Sequence, residues 1–282
     1  MYIYVYIYSL LFFIRFPPSC KPGTKPCATC TNLFGRCKDS DIAPGGVSIK
    51  CSNRDELVMH TNESFYRAYD MIDNASKADR KLLQQCHGIN VNPHGVVHWK
   101  HTRSFYDPVD HMLRDPMHVL ISGGVGQINI AEVMKVLIGL RIRLDVLAEY
   151  LSKFTLPHRM GKIDKRWLSR NKFGKKFKSF SCFAGTMLTL IPIISCFLSE
   201  VIDEGHALLE HRQCFELLEA IVGICFMGSD DAVQHSVLLQ KLIGRYIALF
   251  AKLYPTAAVP KLHQLLHLTD NIAYLQKLLD KT

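Results

Sequence analysis

The sequence predicts a mainly α-helical protein with a small β component. Three stretches carry apolar residues at helical spacing, and they occupy residues 128–151, 207–226 and 232–254. This spacing places the apolar side chains on one face of a helix, where a core can bury them. Proline, glycine and cysteine are instead concentrated in residues 17–55, which predicts loops there. With 282 residues, the chain is long enough for one core or two smaller ones.

The first sixteen residues, MYIYVYIYSLLFFIRF, are almost wholly apolar. Pro17 and Pro18 end this run before the roughly 20 residues that a membrane-spanning helix needs, so membrane association is disfavoured. The run also lacks the basic start of a signal peptide. A buried strand, a signal anchor and translated non-coding sequence remain as interpretations, and the repeated Tyr/Ile pattern favours the last.

The elements that follow are predicted from apolar spacing and from helix-breaking residues. Residues 56–87 are predicted to be helical, and residues 88–127 to be loop with short strands. A buried helix is expected over 183–198, with a kink at Pro192, and a last helix from about Lys261 to Leu279. We divide the chain into the apolar segment 1–16, a Cys-rich loop module 17–60, a region 61–127 and a helical region 128–282.

The positive charge is concentrated in one segment, the basic strip Lys153–Lys178. The strip has ten cations and one acid, so its net charge is +9, the same as the net charge of the whole chain. Such a strip is suited to DNA, because each neutralised phosphate releases condensed counterions. A solvated loop is an equally good interpretation. The candidate DNA contacts are Lys162, Lys165, Arg166, Arg170, Lys172, Lys175, Lys176 and Lys178.

The ten cysteines do not form the dense pattern of a small disulfide-stabilised protein, so a reducing compartment is expected. Cys27 and Cys30 are spaced as Cys-x-x-Cys, which presents two thiolates on one side of a tight turn. This pair supplies half of a structural zinc site. Cys37 and Cys51, or a histidine such as His60, are the candidates for the other half. Reduced thiols with no metal are the alternative interpretation.

Two further motifs contain histidine. Asp115 and His118 belong to Asp-Pro-Met-His, which is followed by glycines and a predicted helix. Near the end of the chain, Lys261 precedes His263 and His267, which are four residues apart and share a helical face. Gln264 stands where a zinc protease has glutamate, so that class is disfavoured. Taken alone, the second motif favours a polar stripe on a core helix over a metal site.

In this order, the three motifs resemble the transposases of CACTA-like DNA transposons, which are of the DDE type. The motifs are Lys-Pro-Cys-x-x-Cys at 25–30, Asp-x-Met-His at 115–118 and Pro-Lys-x-His-x-x-x-His at 260–267. The resemblance implies an RNase H-like core, in which three acids hold two Mg²⁺ ions for DNA strand cleavage and transfer. Asp115 corresponds to the second acid of that core, and His118 is its companion.

The chain departs from the family pattern at the other two acids. The segment that would carry the first acid is missing upstream, and the helix Phe183–Pro192, where the third would lie, contains no Asp or Glu. One carboxylate cannot hold two Mg²⁺ ions. We therefore expect a partial RNase H-like region at 61–127 and a non-catalytic, transposon-derived protein that binds DNA. We expect the protein to be nuclear or intracellular. We expect no small-molecule substrate, and the protein could form homo-oligomers.

A different class of function fits the same sequence. A helical protein–protein interaction module with a zinc-stabilised loop would have no role with nucleic acid. Loss of DNA binding on neutralising the lysines of the basic strip distinguishes the two. A nuclease completed by acids from a partner chain, and a pseudogene product that does not fold, are the remaining alternatives.

Overall fold

Helices dominate the part of the chain that the structure describes. The computed structural model describes residues 27–30, 34–36, 47–49, 54–112, 114–156, 163–174, 177, 180–227, 234–257 and 260–272. Strands β1 (Phe34–Arg36) and β2 (Val47–Ile49) pair antiparallel, with Gly35 opposite Ser48. The prediction of a mainly α-helical protein is confirmed. The predicted apolar segment 1–16 lies outside the described residues.

The chain forms two compact units. Unit 1 combines the residues up to Asp115 with those from Ala258 onward, and unit 2 comprises Pro116–Ala257. Unit 1 is therefore discontinuous in sequence, since unit 2 is inserted between its two parts. The predicted helical region 128–282 contributes to both units.

Unit 1 contains helices α1 (Asn62–Asp73) and α2 (Lys77–His87). Thr61 and Ser64 form a reciprocal capping box that starts α1, and the Ser76 side chain caps α2 by accepting from the backbone of Asp79. Gly88 ends α2 at φ 67°, a left-handed conformation that glycine adopts without a steric penalty. The single helix predicted over 56–87 is thus two helices, because Ser76 provides a second N-terminus.

The core of unit 1 includes a hydrophobic cluster from its N-terminal segment and a buried helix from its C-terminal segment. Ala28, which lies between the paired cysteines, packs in one cluster with Phe65, Tyr69 and Ile72 of α1. Helix α8 (Pro260–Leu266) is buried on every side from Leu262 onward, and helical residues resume over 268–272. A helix buried all round is part of the core and not of the surface.

Residues 88–127 differ from the prediction. Their described part contains 3-10 helices at Val96–His98 and Lys100–Ser104 and a π-helix at Met117–Ile121, and it contains no strand. Pro116 begins the π-helix because its fixed φ suits a first helical turn. The prediction of short strands here was wrong. An RNase H-like core is built on a sheet, and the described residues contain only the β1–β2 pair and two isolated bridges. The structure therefore does not support the RNase H-like region predicted at 61–127.

Unit 2 contains the long helices predicted from apolar spacing. They are α3 (Val125–Gly139), α4 (Leu144–Leu151), α5 (Ala184–Val201), α6 (Leu209–Phe226) and α7 (Ser236–Leu253). Helix α6 packs against both α5 and α7, and Phe215, Tyr246 and Phe250 are fully buried. Within this core, the Asn129 side-chain amide donates to the Tyr246 hydroxyl at 3.1 Å. Helix α5 continues through Pro192.

Two glycines allow the π-helix to pack closely on the start of α3. A Cβ at Gly124 would lie 2.4 Å from the carbonyl carbon of Leu120, and one at Gly126 would lie 2.7 Å from its oxygen. No side chain fits at either distance. The glycines that follow Asp115 and His118 in sequence therefore have a packing role in unit 2.

Within the part of the chain that the structure describes, two helical stretches are long and apolar enough to cross a membrane. They are Met117–Gly139 and Ala184–Val201, and about half of each is buried within the protein. Core helices of soluble proteins have the same length and composition, so these stretches are weak evidence for a membrane protein.

Candidate metal centre

Four potential metal ligands converge in unit 1. The Sγ atoms of Cys27 and Cys30 and the ring nitrogens of His263 and His267 all lie within 4.8 Å of one another. All four side chains are buried. We call this group the Cys₂His₂ cluster, and it is the only such group of His, Cys, Asp or Glu found among the described residues.

The two cysteines are held on a turn that is anchored at both sides. Cys30 forms an isolated antiparallel bridge with Met59, and the Thr29 carbonyl accepts from the backbone N–H of His60 at 2.8 Å. Between the cysteines, Ala28 is completely buried in the core. The Cys-x-x-Cys spacing then directs both thiols to the same side, with their Sγ atoms 3.1 Å apart.

The two histidines approach from α8 and the residue after it. Their spacing of four residues places the rings one turn apart on one face of the helix. As a result, the two Nε2 atoms are 3.2 Å apart. The Nε2 of His263 lies 3.4 Å from Cys27 Sγ and 3.2 Å from Cys30 Sγ, and that of His267 lies 3.4 Å from Cys27 Sγ.

Most of these distances are close to the edges of a zinc coordination tetrahedron. With Zn–S bonds near 2.3 Å and Zn–N bonds of about 2.0–2.1 Å, the edges are about 3.8 Å for S···S, 3.5 Å for S···N and 3.3 Å for N···N. Three S···N separations of 3.2–3.4 Å and the N···N separation of 3.2 Å are within a few tenths of these values, and the fourth S···N pair, Cys30 with His267, lies within 4.8 Å. The thiols are closer than the ideal edge, at 3.1 Å. A small outward movement of one thiol would accommodate the ion.

The pKa shifts of Cys27 and His263 favour the ionisation states that metal ligands need. Burial alone would raise the pKa of the Cys27 thiol, but its contacts with Cys30, His263 and His267 outweigh burial and lower the pKa well below its ordinary value. Burial lowers the pKa of His263, which favours the neutral ring. A thiolate and a neutral imidazole are the forms that bind a metal ion. His267 differs, because burial alone would lower its pKa, but its contacts with Asp270 and Cys27 outweigh burial and raise it.

The donor set favours one type of ion. Two thiolates and two imidazoles in tetrahedral proximity are typical of Zn²⁺, whereas Mg²⁺ requires oxygen ligands. Four protein ligands leave no open position for water or substrate, and a closed site of this kind is structural and not catalytic. The predicted structural zinc therefore has a complete set of candidate ligands.

Comparisons with protein-family models, with curated proteins and with solved structures give no match to this chain. The interpretation of the Cys₂His₂ cluster therefore rests on its geometry.

A buried arginine joins the two parts of unit 1 beside the cluster. The Arg114 guanidinium donates to the Thr29 hydroxyl at 2.8 Å, and the Arg114 backbone N–H donates to Oδ1 of Asn271 at 2.9 Å. The Asn271 side-chain amide donates in return to the Arg114 carbonyl. These bonds fix the cysteine turn and the C-terminal helical residues to one segment.

The structure unites two motifs that the sequence had presented separately. His263 lies on the buried helix α8 and His267 directly follows it, and both rings face the cysteine pair, whereas the His motif alone had favoured a polar stripe over a metal site. The other predicted ligands, Cys37 and Cys51, lie outside the described residues. His60 contacts Ser64 Oγ through Nδ1 at 2.9 Å and does not belong to the cluster. The combination of Cys-x-x-Cys with His-x-x-x-His was the sequence signal for this site.

Asp115 and His118 lie on either side of the boundary between the two units. His118 is exposed within the π-helix, and Asp115 is partly buried just before it. Asp115 lies near Lys261, where it opposes the lowering of the lysine pKa that burial causes. Neither residue is part of a metal-ligand group among the described residues. Their assignment as a residual Mg²⁺ site stays a prediction.

The described part of the basic strip includes two short 3-10 helices, Lys165–Leu168 and Arg170–Lys172. Leu168 and Phe173 are buried in unit 2, as is Phe180 just after the strip. Arg166 is exposed and forms an ion pair with Asp164. The exposed Arg170 guanidinium lies 4.2 Å from the centre of the Phe177 ring. Lys162, Lys175, Lys176 and Lys178 lie outside the described residues.

Proposed function

We propose that unit 1 is a zinc-binding domain in which one Zn²⁺ joins the beginning of the domain to its end. The observation that carries this proposal is the convergence of four buried donor atoms within 4.8 Å. Cys27 and His263 are separated by 236 residues, and all of unit 2 lies between them in sequence. The ion acts as a cross-link that keeps the discontinuous domain closed.

The physical basis is the coupling of metal binding to folding. The ligands come together only in the folded domain, so the free energy of zinc binding adds to the stability of the fold. In zinc-finger peptides this apparent free energy is about 10–16 kcal/mol, which exceeds the stability of many small domains. Unit 1 therefore depends on the ion more than unit 2 does.

Metal analysis of the purified full chain tests the proposal. We expect one zinc per chain in the wild type, and a loss of zinc in Cys30→Ser and in His263→Gln. Cys196→Ser is the matched control, because Cys196 is exposed on α5 and lies outside the cluster. Equal zinc content in the control and in the two ligand variants would refute the proposal.

We propose, as a second function, that the basic strip of unit 2 binds DNA. This proposal is supported by the concentration of ten cations and one acid between Lys153 and Lys178. Each phosphate contact contributes a slope of about −0.9 to the dependence of log affinity on log salt concentration. Binding should therefore weaken steeply with salt and depend little on DNA sequence.

Neutralising part of the strip tests the second proposal. We expect Arg170→Gln combined with Lys172→Gln to weaken DNA binding and to reduce the salt slope by about two, one for each lost contact. Lys77→Gln combined with Lys81→Gln removes the same charge from the exposed surface of α2 and is the control. An equal effect of both pairs would show that net charge matters and the strip does not.

We propose that the chain is derived from a CACTA-like transposase, and the order of the three motifs supports this origin. Under it, the protein is a non-catalytic relative in the nucleus, and Asp115 is a remnant of the catalytic core. The interaction module remains the alternative. If binding to DNA is absent at low salt while zinc is bound, the interaction module is favoured.

A further inference from the structure

The two ring nitrogens of His267 have different partners. Nε2 faces the Cys₂His₂ cluster, at 3.4 Å from Cys27 Sγ. Nδ1 points the opposite way and lies 3.0 Å from Oδ2 of Asp270. The His267 side chain is only 2% exposed, so water has little access to the ring. A carboxylate in this position accepts a hydrogen bond from Nδ1–H. The proton then stays on Nδ1, and Nε2 keeps a lone pair for a metal ion.

The second oxygen of Asp270 is also occupied. Arg54 donates from Nε to Oδ1 of Asp270 at 2.7 Å. Arg54 belongs to the 3-10 helix Arg54–Glu56 in the N-terminal part of unit 1, whereas Asp270 belongs to its C-terminal part. The side chains form a chain of contacts from Arg54 through Asp270 to His267, and both carboxylate oxygens are used.

We propose that Asp270 is a positioning residue for the metal centre and that Arg54 orients it. This inference rests on the proposed zinc function. Asp270 fixes the tautomer and the orientation of His267, and it increases the electron density that the ring offers to the ion. Arg54 prevents rotation of the carboxylate away from the ring. No carboxylate among the described residues contacts the His263 ring, so the two histidines are not equivalent.

Zinc affinity measured by competition with a chelator tests the inference. Loss of such a partner reduces metal affinity about 10–100-fold. We expect Asp270→Ala to raise the Kd for Zn²⁺ within that range and Asp270→Asn to have a smaller effect, because asparagine still offers an oxygen to Nδ1–H. Arg54→Ala should weaken binding less than Asp270→Ala. Asp110→Asn is the control, since Asp110 is an exposed carboxylate of the same unit.

A spectroscopic measurement separates positioning from general stability. In the Co²⁺-substituted protein, Asp270→Ala should change the visible ligand-field bands while preserving the thiolate-to-cobalt absorption of two cysteines. The ¹⁵N chemical shifts of His267 should show a proton on Nδ1 in the zinc-bound wild type. These measurements also apply to Asp270→Asn if the alanine variant does not fold.

The outcomes distinguish this inference from the proposal beneath it. If the wild type binds no zinc, the proposed metal function fails. If the wild type binds zinc but Asp270→Ala and Asp270→Asn match it in Kd and in Co²⁺ spectrum, the metal function stands and the positioning role of Asp270 is wrong.

Discussion

Cys27 and His267 are separated by 240 residues in sequence, and yet their Sγ and Nε2 atoms lie 3.4 Å apart in the buried interior of unit 1. This relationship connects the fold to the proposed function. Bringing together two parts that are separated by an inserted unit has an entropic cost, which grows slowly with the length of the insert. Shared metal ligands offset that cost by linking the two parts directly.

Removal of zinc should loosen unit 1 selectively. Because α8 provides His263, we expect its backbone amides, and those of residues 268–272, to exchange faster with deuterium when a strong chelator is added. Helices α6 and α7 should keep their protection. Hydrogen exchange followed by mass spectrometry makes this comparison within one sample. Equal acceleration in α8 and α6 would contradict a local role for the ion.

The cluster also predicts which cysteines react with an alkylating reagent. None of the seven described cysteines forms a disulfide. Burial raises the pKa of Cys182, Cys214 and Cys225 to about 12, which makes these thiols unreactive near neutral pH.

Metal-bound Cys27 and Cys30 should be protected from alkylation until zinc is removed. Cys86 and Cys196 are exposed and should react in either state. Peptide mapping after brief treatment with iodoacetamide measures each site. Rapid alkylation of Cys27 in the zinc-loaded protein would argue against its role as a ligand.

Unit 2 should depend on a buried hydrogen bond and not on the metal. Tyr246→Phe removes the acceptor for the Asn129 amide, in a core where the Asn129 Oδ1 atom has no hydrogen-bond partner among the described residues. An unsatisfied buried donor costs about 1–3 kcal/mol. Urea unfolding followed by a probe in unit 2 should show a loss of this size. Tyr150→Phe is the control, since its partner Glu200 is exposed and the loss should stay below about 1 kcal/mol.

The stability of unit 2 should decrease with acid through His211. The Tyr254 hydroxyl lies 2.8 Å from His211 Nδ1, and burial lowers the pKa of His211 below its ordinary 6.5. The unfolded chain therefore binds the proton first as the pH falls, and protonation favours unfolding. Stability from this residue is present above about pH 6.5 and is lost as the pH falls through the folded-state pKa.

Replacement of His211 tests the pH dependence. His211→Gln should have a shallower decrease in unit 2 stability between pH 7 and pH 5 than the wild type, as measured by urea unfolding at each pH. Both proteins contain the same metal ligands, so the difference between them isolates His211. Parallel pH profiles would show that His211 does not contribute.

Local patterns in the sequence predicted much of the fold. Apolar spacing located α3, α6 and α7 because each of these helices buries one face. The strands predicted within 88–127 were wrong, since Pro116 starts a helical turn and close packing explains the glycines after it. The two ligand pairs were both visible, but no local signal joins Cys27 to His263 across 236 residues. That pairing arises only from tertiary packing around Arg114 and α8.

X-ray absorption at the zinc edge of the purified full chain measures the ligands of the bound ion directly. We expect one zinc with two sulfur ligands at about 2.3 Å and two imidazole nitrogens at about 2.0–2.1 Å. His267→Gln should change this shell by removing one imidazole. A shell of oxygen ligands, or one with four sulfurs, would contradict coordination by Cys27, Cys30, His263 and His267.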